Sequence, residues 1–200
     1  MRYNEPMRIG IDISQIVFEG TGVAKYVREM VRGIVMARSS HELVLFGASL
    51  RKQQVFQEFY ASLPSRQNVT LRVYPIPPTV LAIMWNTLHI LPVEWLIGSV
   101  DIFWSSDWTQ PPLSRAKGVT TIHDLIALKF PEQSHNTVGF DRKKLRIAPN
   151  IVSTHAARLK RVVATCDMIF CDSEATKNDC LTLLGIDGKK LTVVYPGYSI

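Results

Sequence analysis

Cys166, Cys171 and Cys180 are the only cysteines in 200 residues. Their spacing forms neither a paired framework nor the close pairs of a structural zinc site, so they read as reduced, packed thiols in a reducing compartment. No apolar run approaches the ~18 residues needed to span a bilayer. The best candidate, Val80 to Gly98, is interrupted by Asn86, His89, Pro92 and Glu94. The amino terminus, Met1-Arg2-Tyr3-Asn4-Glu5-Pro6, lacks the apolar core of a secretory signal and leads straight into a strand. No internal period suggests a repeat array. These absences argue against a disulfide-stapled secreted domain, a membrane-spanning protein and a solenoid, and they favour a cytoplasmic protein.

With 46% hydrophobic and 20% charged residues, the chain has the make-up of one large globular domain with a real core. Its net charge of +6 favours anionic partners: nucleotide phosphates, acidic lipid headgroups or nucleic acid. Much of the excess sits in Arg142-Lys143-Lys144-Leu145-Arg146 and Arg158-Leu159-Lys160-Arg161, on segments that look helical. Such runs usually form solvated helix faces, which speaks against a nucleic-acid footprint.

Short β-branched runs alternate with longer segments of helical spacing. Strands are expected at Arg8 to Ile13, Leu43 to Phe46, Asn68 to Tyr74, Asp101 to Trp104, Val119 to His123, Asp167 to Cys171 and Leu191 to Tyr195. Between them, helices are expected at Val23 to Ala37, Lys52 to Leu63, Thr79 to Leu91, about Phe140 to Ala164 with a kink at Pro149, and from an N-cap at Ser173 to Leu184. Near-continuous apolar strands separated by helices imply a mostly parallel sheet of about seven strands covered on both faces, an α/β, Rossmann-like, doubly wound architecture.

Chemistry in such sheets gathers at the carboxyl ends of the strands. There the run from Val119 ends in His123-Asp124. Gly20-Thr21-Gly22 precedes a helix, where bare N–H groups can approach a phosphate or a crowded sugar. A dinucleotide fingerprint is a poor match: its third glycine position is Lys25, the glycines come several residues after the first strand, and the second strand ends without a carboxylate. Asp107 and Trp108, in the loop after the fourth strand, pair a carboxylate with an aromatic face suited to a sugar ring. Trp85, Trp95 and Trp104 read as core or core-edge residues.

Five blocks in order carry a resemblance: Gly20 to Glu29; His123-Asp124-Leu125 with Phe130-Pro131-Glu132; Ala164 to Ile169; Asp172 to Lys177; and Val193-Val194-Tyr195-Pro196-Gly197. From Met7 to Gly197 the chain resembles the amino-terminal half of group 1, or family 4, glycosyltransferases, the retaining two-domain enzymes of the GT-B fold. The resemblance implies sugar transfer from a nucleotide-sugar donor to a polysaccharide or glycolipid acceptor, without an obligatory metal or other cofactor. It also implies that residues 1–196 form the acceptor-side domain and residues 197–200 begin a linker. The carboxyl-terminal domain, which binds the nucleotide-sugar and carries a glutamate pair, would then be absent, leaving a half-enzyme inactive by itself.

Residue by residue, the resemblance places Gly20, Thr21 and Gly22 near the donor phosphates or the acceptor, and His123 against the transferred sugar. Asp124 would orient His123 or hold a loop. Ser173 and Lys177 would reach the cleft rim, with Ser173 more readily read as an N-cap. Lys25 departs from the arginine of many relatives. The His123-Asp124-Leu125 and Ser173 to Lys177 blocks resemble mannosyltransferase-like members, so mannose from a GDP donor is preferred, with UDP-sugars left open. Lipid-linked acceptors would fit a peripheral membrane contact through Val80 to Ile97 and the basic residues Arg142 to Arg146, at the inner face of the membrane. The alternative reading is a noncatalytic module that uses the same fold to bind a carbohydrate or a protein partner.

Overall fold

The computed structural model describes residues 5–37, 40–129 and 151–197. Strands form where β-branched and apolar residues crowd together: β1 (Arg8–Asp12), β2 (Glu42–Ala48), β3 (Val69–Tyr74), β4 (Ile102–Ser105), β5 (Lys117–Ile122), β6 (Cys166–Cys171) and β7 (Leu191–Val193). They make one sheet in the order β3-β2-β1-β4-β5-β6-β7, and every neighbouring pair is parallel. The chain starts in the middle, winds outward through β2 and β3, then returns to β4 on the other side of β1. That reversal opens a crevice at the carboxyl ends of β1 and β4.

Period-two alternation divides β2 between two cores. Leu43 and Leu45 face the cluster of Val27, Val31, Phe56 and Phe59, whereas Val44 and Phe46 face the cluster of Leu81, Trp85, Val93 and Phe103. A third cluster joins Ile122, Leu159, Val162, Ile169 and Cys180 beneath β5 and β6. Each fully buried aliphatic or aromatic side chain contributes about 1.5–3 kcal/mol relative to exposure, so these three clusters hold the sheet between its helices. The first is covered by α1 (Gly22–Met36), whose buried residues Ala24, Val27, Val31 and Val35 recur at helical spacing, and by α2 (Gln53–Ala61), which inserts Phe56 and Phe59.

The expected helix over 79–91 divides. α3 (Pro78–Ala82) passes into a π-helical turn over Ile83–Leu88, closed by His89 and Leu91 at φ of 55° and 63°. The wider turn keeps both Trp85 and Asn86 buried, and Trp85 Nε1 donates to the Leu91 carbonyl, so core packing prevails over a regular helix. α4 (Glu94–Ile97) follows. A short helix after β5, α5 (Ile126–Lys129), was not anticipated from the sequence. α6 (Ile151–Thr165) and α7 (Glu174–Leu184) complete the cover. The expected start of the long helix at Phe140, its kink at Pro149, the Phe130-Pro131-Glu132 block and the basic run Arg142 to Arg146 lie outside the described residues.

Two expectations are corrected by packing. Arg158 is not on a solvated face: its side chain is fully buried, and Arg161 is half-buried with its guanidinium donating to the carbonyls of Asn86 and Thr87. Among the tryptophans, Trp85 is in the core and Trp104 at its edge, but Trp95 is 73% exposed. The three cysteines are buried free thiols, and burial pushes the Cys166 thiol up to about 12.

Candidate functional site

His123 follows the last residue of β5, and Asp172 the last of β6. Because Ile122 is level with Cys171 across these parallel strands, the next residues emerge side by side at the carboxyl edge. There His123 Nδ1 and Asp172 Oδ2 lie 2.6 Å apart. A carboxylate only accepts, so Nδ1 carries the proton in this bond, and in the neutral ring Nε2 is the acceptor nitrogen. The side chains are 15% and 22% exposed, enough for the imidazole to meet solvent from a mostly enclosed seat.

Two further contacts hold this histidine. Thr176, in the first turn of α7, donates its hydroxyl to the His123 carbonyl at 3.0 Å. From α1, the Tyr26 ring meets the imidazole edge-on, with centroids 4.8 Å apart and planes at 84°. The Tyr26 hydroxyl lies 3.2 Å from Thr121 Oγ1, which also receives the Trp104 indole N–H. Burial pushes the Tyr26 phenol up, against the lowering effect of its bond to Thr121, and the Asp172 charge adds to the rise.

Tyr26 lies one turn into the helix that the glycine loop starts, and Val23 in its first turn lines one pocket with His123. Gly20 has φ of 80°, a conformation that favours glycine, while Thr21 is the N-cap: Oγ1 accepts from Ala24 N and donates to the Phe18 carbonyl. A Cβ on Gly22 would meet nothing within 4 Å, and its φ is not in the left-handed region, so neither packing within this chain nor strain calls for glycine there. As first-turn groups, the N–H groups of Gly22 and Val23 have no intrahelical acceptor.

The loop after β4 is braced by a buried polar network. Ser105 Oγ donates to Gln110 Oε1, Gln110 N donates to Asn86 Oδ1, and Asn86 Nδ2 donates to the Trp108 carbonyl. The Thr109 hydroxyl reaches Asp12 Oδ2, and Asp12 Oδ1 accepts from Ser14 N. Burial pushes the Asp12 carboxyl up, opposed chiefly by its bonds to Ser14. Asp107 takes a charged partner: Arg158 Nη1 donates to its Oδ1 at 3.0 Å, while Nη2 donates to Thr120 Oγ1 and to the Thr121 carbonyl. One narrow pocket is lined by Asp12, Tyr26, Ser106, Asp107, Thr121 and His123. Trp108, 37% exposed, instead lines a neighbouring pocket with Phe18 and Gln15.

The remaining candidates fall apart from this group. Asp124 is exposed and does not hold the imidazole; its Oδ1 accepts from Ile126 N, an Asx-type turn that starts α5. Ser173 caps α7, accepting from Thr176 N at 3.1 Å. Lys177 is half-buried one turn further on, and its charge lowers the Cys171 thiol, secondary to the bond from Cys180. Among the described residues no group of three or more His, Cys, Asp or Glu side chains could hold a metal ion. A larger concavity, about 620 Å³, opens at the amino-terminal end of β2 and β3 between Met36, His41 and Pro64, away from the carboxyl edge where open sheets place their chemistry.

A family model, Glycosyltransferase Family 4, matches residues 20–200. The chain belongs to glycosyltransferase family 4. A glycosyltransferase-type function goes with that membership, and with it the handling of a nucleotide-sugar and an acceptor in general terms. No curated protein matches the chain. In this family 4 chain the seven-stranded parallel sheet is the Rossmann-like half of a GT-B fold.

Asp172, Tyr26, Thr121 and Arg158 are the site residues that sequence reasoning passed over. Asp172 had a signal, since it ends its strand run as His123 ends β5, but only the pairing of β5 with β6 makes them neighbours. Arg158 was hidden inside a basic run whose other members face outward or sit at the surface edge.

Proposed function

We propose that the carboxyl edge of this sheet binds the acceptor and the sugar in flight during a retaining transfer from a nucleotide-sugar, with His123 contacting that sugar. The supporting observation is the partly open imidazole, held by Asp172 and Tyr26, in one pocket with Asp107 and with Val23 at the start of α1. Retaining transfer develops negative charge on the leaving diphosphate and positive charge at the sugar, so preorganised dipoles along the rim act where charge appears. The N–H groups at the start of α1 suit the former and a fixed imidazole lone pair the latter. Asp107, already neutralised by Arg158, offers its outer oxygen to sugar hydroxyls, and Trp108 flanks that position. Thr21, Ser173 and Asp124 serve this site by fixing its loops, and Lys177 supplies positive charge at the start of α7. The nucleotide itself is assigned to a second, carboxyl-terminal domain, mannose from a GDP donor being the preferred pair, and no bound cofactor is invoked.

The test is transfer by the protein assayed together with its nucleotide-sugar-binding half. His123→Ala is expected to lower kcat at least about 100-fold while the chain still unfolds cooperatively. A folded variant with undiminished transfer would overturn the assignment and favour the noncatalytic module.

A second reading concerns where the acceptor comes from. Val80, Ile83, Leu88, Ile90 and Trp95 are each more than two-fifths exposed, a concentration of apolar surface that suits contact with a membrane carrying a lipid-linked acceptor.

A further inference from the structure

Resting on the assignment of His123 to the sugar, we propose that Asp172 is the positioning residue of this site. It fixes the His123 tautomer and ring plane so that Nε2, unprotonated in the neutral ring, faces the cleft as an acceptor for a hydroxyl of the bound sugar or acceptor.

The geometry runs as follows. Asp172 Oδ2 lies 2.6 Å from Nδ1, the short distance of a charge-assisted bond. Its other oxygen, Oδ1, is buried without a hydrogen-bond partner among the described residues. Thr176 anchors the His123 backbone through its carbonyl, and Tyr26 packs edge-on against the ring. Asp172 decides which nitrogen carries the proton. Without it, neutral imidazole would turn a proton on Nε2 toward the cleft and present a donor where a hydroxyl proton has to be accepted. The adjacent Asp124 cannot take over, since its carboxylate holds Ile126 N.

The tautomer is read directly by nitrogen NMR on the 200-residue chain labelled in its histidine rings, at a pH where His123 is neutral. The wild type is expected to show His123 protonated at Nδ1. Asp172→Ala is expected to move the proton to Nε2, and the isosteric Asp172→Asn, whose amide can turn its NH2 to Nδ1, to lose most of the Nδ1 protonation as well. Assayed with the nucleotide-sugar-binding half, Asp172→Ala and Asp172→Asn are each expected to lower kcat at least about a hundredfold with little change in KM. An unchanged tautomer in Asp172→Ala overturns the proposal whatever the activity. A switched tautomer with wild-type kcat, while His123→Ala is inactive, overturns the positioning role alone. A switched tautomer with His123→Ala fully active overturns the assignment of His123 to the sugar, and the role of Asp172 with it.

Discussion

His155, one turn before Arg158 on α6, is pressed toward its neutral form. Burial and then the Arg158 charge lower its pKa below the ordinary 6.5, with Asp107 and Asp124 opposing, and its Nε2 is buried without a hydrogen-bond partner among the described residues. A ring that resists the proton when folded and accepts it when unfolded makes the unfolded state bind more protons in acid. Its contribution to stability is therefore complete above about pH 6.5 and is lost as the pH falls through the depressed folded value. The denaturation midpoint of the wild type is expected to drop between pH 7.5 and 5.5 by more than that of His155→Gln. Equal drops in the two proteins would show that other groups carry the acid sensitivity. At this scale the sequence was informative about identity and silent about partnership: His123 stood out at the end of its strand, whereas the carboxylate beside it in sequence, Asp124, is not the one beside it in space.

The amino end of α1 separates a glycine needed by the backbone from one that the fold does not need. Gly20 has φ of 80°, so Gly20→Ala should destabilise by about 1 kcal/mol. Gly22 is helical and has open space around its missing Cβ, so Gly22→Ala should leave stability unchanged or raise it by about 0.4–1 kcal/mol. If a ligand approaches there, transfer should nevertheless fall about tenfold or more. A Gly22→Ala enzyme of full activity and improved thermal stability would show that the helix start is not part of the site. Periodicity made this element legible, since the apolar stripe from Val23 marks α1 to within a residue. The segment from Pro78 to Leu88 was less so, because the demand to bury both Trp85 and Asn86 converts a regular helix into a π turn, and local spacing carries no record of that demand.

Taken as a whole, the molecule concentrates uncharged surface on one stretch. From Ile76 to Gly98, Glu94 is the only Asp, Glu, Lys or Arg. Burial would raise its carboxyl, but the N–H groups of Arg115, Ala116 and Ser114 outweigh that and hold it below its usual range, tying the charge to the neighbouring loop. If this stretch meets a bilayer, Trp95→Ala with Ile90→Ser should weaken sedimentation with anionic vesicles at low salt about tenfold, without altering the melting temperature by more than a few degrees. Binding that is absent in the wild type, or unchanged in the variant, would remove the membrane contact. The order of strands and helices, the parallel sheet and the family were written in the sequence, because hydrophobic period and capping are local properties of the chain. Which carboxylate meets His123, that Arg158 goes inside to meet Asp107, and that Trp95 stays outside were decided only when β5 paired with β6 and α6 packed against the loop after β4. Those contacts join residues 49 and 51 positions apart, and no local pattern encodes a partner at that distance.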